Sequence, residues 1–93
     1  MTNSGGATVR VLRIEGEKYI ELNAVGRYID RVESICRPIV RSNKKWVPLL
    51  IVIDVVRDAA NAAAQARRTS TARRDFELLE RLEAAAKGVL MTN

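Results

Sequence analysis

Ninety-three residues, 47% of them hydrophobic and 29% charged, suffice for one small domain and exclude a disordered tail, a collagen-like chain and a disulfide scaffold. Sixteen Lys and Arg against eleven Asp and Glu give a formal charge of +5, which favours acidic partners. Histidine is absent, so the commonest general base and metal ligand are missing, and a single cysteine, Cys36, excludes an internal disulfide or a cysteine-based zinc cluster.

The N-terminus, MTNSGGAT, has neither the basic nor the apolar segment of a signal peptide. It reads as a disordered lead-in over residues 1–7, followed by a single domain over 8–90. With a lone thiol, this points to a reducing, cytoplasmic location. TVRVLRI, residues 8–14, is rich in β-branched side chains and stops before Glu15-Gly16, which predicts a short strand and a turn. KYIEL, residues 18–22, suits either a returning hairpin strand or the first turns of a helix.

From Leu22 onward, Val25, Ile29, Val32, Cys36 and Ile39 recur at steps of three and four, the spacing of one helix face. Asn23 is placed as its N-cap, and Pro38 ends or kinks it. Cys36 lies among apolar positions and reads as an inert core thiol. SNKK, residues 42–45, reads as a connector.

WVPLLIVIDVV, residues 46–56, has the β-branched content of a buried strand. LLIVID resembles the hydrophobic strand of P-loop nucleotidases, with Asp54 at the magnesium-holding position, but the chain has no GxxxxGK[ST] loop and that function drops out. Asp54, Arg57, Asp58, Asn61 and Gln65 fall on one arc of about 100° at helical spacing, which predicts a helix from Pro48 to about Arg68. Its remaining circumference, about 260°, is apolar or small and must be covered on several sides. Asp54, Arg57 and Asp58 interrupt the run too early for a membrane span.

In one straight helix over 48–88, Leu79 would lie about 120° round from Leu49, so a break is required. RRTSTARR, residues 67–74, supplies it as a helix-to-helix turn with four arginines. RRDFELLERLEAAAKGVL then predicts an amphipathic helix with Phe76, Leu79, Leu82 and Ala86 on one face, supported by Glu77–Arg81 and Glu83–Lys87 pairs and ended by Gly88.

The expected fold is mainly α: a three-helix bundle-like domain with a short N-terminal β-strand. The alternative is an α+β fold with residues 48–56 as a strand beside 8–14. The widely apolar helix and the unpaired strand both ask for a homodimer. No residue set points to catalysis, a cofactor or a metal, since Asp54 with Arg57 is the only candidate pairing and lacks a second carboxylate.

The expected function is therefore that of a small non-enzymatic regulatory or adaptor protein acting by protein–protein binding, for example by antiactivator-like sequestration of a transcription regulator. Leu49, Val52, Ile53 and Val56 would supply apolar contact, and Arg67, Arg68, Arg73 and Arg74 contact with an acidic partner. The alternative is a dimeric DNA-binding regulator, because the strand, helix, helix order resembles that of ribbon-helix-helix repressors. That resemblance implies Arg10 and Arg13 as the residues reaching bases, although the connector after Cys36 is longer than that fold's. The four aromatics, Tyr19, Tyr28, Trp46 and Phe76, are scattered and suggest no stacking platform for single strands.

Overall fold

The computed structural model describes residues 9–87. The elements are β1 (Val11–Ile14), β2 (Glu17–Glu21), a 3-10 segment (Leu22–Tyr28), α1 (Ile29–Ile35), β3 (Ile39–Arg41), β4 (Lys44–Pro48), α2 (Leu49–Gln65) and α3 (Thr69–Lys87). The strands form one antiparallel sheet in the order β1-β2-β4-β3. Helices α2 and α3 pack along each other as a hairpin, and α2 also touches β2, β4 and α1. The fold is therefore α+β, and the three-helix bundle expected from the sequence is not what forms. The pairing of residues 48–56 with 8–14 does not form either, because the chain is helical from Leu49 and β1 lies beside β2.

Two turns account for the additional strands. Glu15 and Gly16 have φ of 52° and 84°, and Ser42 and Asn43 have φ of 51° and 65°. Two successive positive-φ residues are what a type I′ hairpin loop requires, and its twist matches that of the strands it joins. The first turn sets Val11 opposite Ile20 and the second sets Ile39 opposite Trp46. Residues 42–45 are thus a tight turn and the start of β4, not a connector. The hairpins join through β2 and β4, where Ile20 and Val47 face each other, both fully buried beneath the helices.

The apolar stripe from Leu22 to Ile39 is only partly one helix. Gly26, at φ 56° and ψ −124°, kinks the 3-10 segment, α1 stops at Ile35, Cys36 is extended and Ile39 belongs to β3. Pro38 explains the stop, since the residue before a proline is driven out of helical geometry. Leu22, Val25 and Val32 are nevertheless buried, because three-residue steps keep one face inward in both helix types. Asn23 lies inside the 3-10 segment, whose start carries no side-chain cap.

Helix α2 exposes Asp54, Arg57, Asp58, Asn61 and Gln65, the polar arc read from the sequence. Sheet, α1 and α3 cover most of its other sides within one chain, leaving Leu50 65% exposed, and β1 pairs with β2 on one side while its outer edge stays open. Arg67, at φ 62°, ends α2 with its N–H on the Ala64 carbonyl, while the Arg68 N–H reaches the Ala63 carbonyl. This pair of bonds is the Schellman arrangement. The break is thus present but occupies only residues 66–68, and Thr69–Arg74 already belong to α3. On α3 the buried face is Ala72, Asp75, Leu79, Leu82 and Ala85, whereas Phe76 is 39% exposed. Glu83 bonds to Arg57 of α2 at 3.0 Å instead of pairing with Lys87. The expected lead-in over 1–7 and the Gly88 stop lie outside the described residues.

Candidate functional site

Leu49, Val52, Ile53 and Val56 are 1%, 0%, 5% and 0% exposed. They form the chain's own core, and a partner cannot reach them in this fold, because the helix surface expected to bind outward is closed by the sheet and α3. Arg67, Arg68, Arg73 and Arg74 are exposed at the turn and on the first turns of α3. Arg10 and Arg13 are exposed as well, Arg13 on β1, which pairs with β2 on one side and forms an outer edge of the sheet. Asp54 holds Arg57 at 3.3 Å on the surface, an ordinary pair one helical turn apart.

A polar contact between distant segments organises the basic surface. Tyr28, at the end of the 3-10 segment, is 6% exposed, and Asp75 of α3 is 3% exposed. The Tyr28 hydroxyl donates to Asp75 Oδ1, while Asp75 Oδ2 is buried without a donor among the described residues. Burial, and then the hydrogen bond and negative charge of Asp75, push the Tyr28 hydroxyl up to about 12. The Arg27 guanidinium, 5.4 Å from the centre of the Tyr28 ring, acts in the opposite direction.

This pair forms a bar between two cavities. One, of about 330 Å3, is lined by Arg27, Arg31, Arg68 and Thr71 over a floor of α2 alanines that includes Ala59, Ala62 and Ala66. The other, of about 360 Å3, is lined by Arg27, Arg74, Arg81, Glu77 and Leu78. Tyr28 and Asp75 belong to both walls. The described ion pairs are Lys44–Glu21, Lys45–Glu33 and Arg57 with Asp54 and Glu83, so none of the five arginines around the bar is in a described ion pair, Arg81 with its expected partner Glu77 included. The structure therefore unites Arg68 and Arg74 with Arg27 and Arg31, which the sequence did not single out, and with Arg81, which it offered only as a helix-supporting partner of Glu77.

Two sequence signals could have found the bar. Asp75 interrupts the stripe Ala72, Leu79, Leu82, and Tyr28 extends the stripe Leu22, Val25, Val32 at the same spacing. A carboxylate on a buried face demands a donor, and a buried tyrosine supplies one.

Elsewhere, Cys36 is half-buried, its thiol reaches the Val32 carbonyl at 3.4 Å, and burial pushes its pKa up, which keeps it protonated and poorly nucleophilic. Among the described residues, no group of three or more His, Cys, Asp or Glu is placed to hold a metal ion, and no helix is long and apolar enough to cross a membrane. Compared with family models, with curated proteins and with solved structures, the chain matches none.

Proposed function

We propose that this protein is a non-enzymatic binding module that holds an acidic protein partner in the arginine-lined cleft between the 3-10 segment with α1 and the α2–α3 hairpin. The observation supporting this reading is the set of five arginines around the Tyr28–Asp75 bar, none paired with a described carboxylate. The planar fork of a guanidinium matches a carboxylate in bidentate geometry and loses less freedom per hydrogen bond than an ammonium does. Such a module regulates by occupying its partner's surface, as an adaptor or antiactivator-like sequestering protein does, and a cytoplasmic location suits its single protonated thiol.

DNA binding is the second reading, because Arg67 and Arg73 are exposed next in sequence to Arg68 and Arg74 of the cleft and phosphates attract the same groups. The buried Asp75 carboxylate at the centre of the cleft favours side chains that reach to either side of it over a duplex backbone that lies across it. A homodimer keeps a narrower basis, the outer edges of β1 and β3, where Val40 is 68% exposed.

The test is affinity capture from the native host with the full chain and with Arg31→Glu/Arg74→Glu. Loss of an acidic protein from the variant's capture is expected. Unchanged protein capture, or a salt-sensitive shift of duplex DNA as the only binding, would overturn the reading.

A further inference from the structure

Asp75 does more than anchor Tyr28, because its carboxylate sits between two groups of arginines and repels any anion placed directly on the bar. An anionic partner that uses both cavities therefore carries its charge on either side of the bar. We infer that the cleft is a bipartite groove that reads an extended acidic segment, with one carboxylate held by Arg27, Arg31 and Arg68 and a second held by Arg74 and Arg81, the backbone crossing the Tyr28–Asp75 bar between them. This rests on the acidic-partner reading above and narrows it to a spacing.

The spacing follows from α3. From Thr71 in the first cavity to Leu78 in the second, the helix rises about 10 Å at about 1.5 Å per residue. A polyproline-II segment advances about 3.1 Å per residue with three residues per turn, so side chains three positions apart point the same way about 9 Å apart. A pair of acidic residues with two others between them fits that distance in a conformation that unfolded acidic chains already populate. The two ends are unequal. Glu77 lines the second cavity and weakens its field, whereas the first holds Thr71 and no acidic residue besides the shared Asp75. A lone carboxylate therefore enters the first cavity.

Fluorescence anisotropy with the full chain and labelled glycine-serine peptides tests this. The probes carry two glutamates three positions apart, two adjacent glutamates, or a single glutamate, and a labelled duplex oligonucleotide is run beside them. Arg31→Glu and Arg81→Glu report on one cavity each, and circular dichroism verifies that both variants fold. The three-apart peptide should bind tightest and lose about tenfold with either variant, while the single-glutamate peptide loses affinity with Arg31→Glu alone. Equal binding of the three-apart and adjacent peptides, or an equal response of every peptide to both variants, would mean diffuse attraction; the groove is then wrong and the acidic-partner reading stands. Binding of the oligonucleotide with no binding of any peptide would overturn both.

Discussion

At Tyr28 a single hydroxyl separates a half-satisfied buried carboxylate from a bare one. Removing it by Tyr28→Phe leaves both oxygens of Asp75 without donors in a site that is 3% exposed, a loss of about 3 kcal/mol. Replacing both partners, Tyr28→Phe with Asp75→Leu, removes the polar demand altogether, so the double variant should be more stable than the single one in urea denaturation. If the two substitutions simply add, Asp75 is hydrated and the bar is not dry. Burial of Tyr28, and then its bond to Asp75, set a pH dependence at the alkaline end. The hydroxyl titrates at about 12 in the folded chain against an ordinary 10.0, so the protonated form is favoured by folding. Its contribution, about 2–3 kcal/mol, is complete below pH 10 and is lost as pH rises toward 12. The stability advantage of the natural protein over Tyr28→Phe should shrink across that window, and an advantage constant with pH would show that the hydroxyl is not held by Asp75.

The elements are delimited by residues in left-handed geometry, and only some of those are glycine. Gly16, at φ 84°, has open space where a Cβ would stand, so Gly16→Ala adds backbone strain alone, about 1 kcal/mol. Arg67 holds the corresponding position at the end of α2 with φ 62° and carries that strain already. Arg67→Gly should therefore raise the thermal midpoint by a gain of about 0.5–1 kcal/mol, opposite in sign to Gly16→Ala. A fall in midpoint would mean that the Arg67 side chain packs against the hairpin and outweighs the backbone.

For the molecule as a whole, the test of the fold is where a charge can be tolerated. Val52 is fully buried between sheet and helices, and Val52→Asp places an unpaired carboxylate there at a cost that consumes most of the stability of a chain this size. Loss of the helical circular dichroism signal is expected. A folded but monomeric variant would instead place Val52 at an interface between chains. Leu50, 65% exposed on the same helix, should accept the same change with little effect.

The sequence by itself determined α3, the polar arc from Asp54 to Gln65 and the break near Arg67, and it favoured a helix for α2 while leaving residues 48–56 open to a strand. These depend on periodicity and on chain geometry within a few residues, and local physics decides them. It also held the first hairpin as one of two readings for residues 18–22. Only the tertiary structure decided that Ile39–Arg41 is a strand, because three residues carry no periodicity and their conformation is fixed by pairing with β4. The same holds for the burial of Val52 and Val56, since an apolar surface of about 260° demands cover without saying whether the cover comes from the same chain or another. The bar is the clearest case. Tyr28 and Asp75 are 47 residues apart, and the arginines around them come from the 3-10 segment, α1, the hairpin turn and α3. Charge is written residue by residue, but a field is made where segments meet, and that depends on long-range packing that no local pattern records.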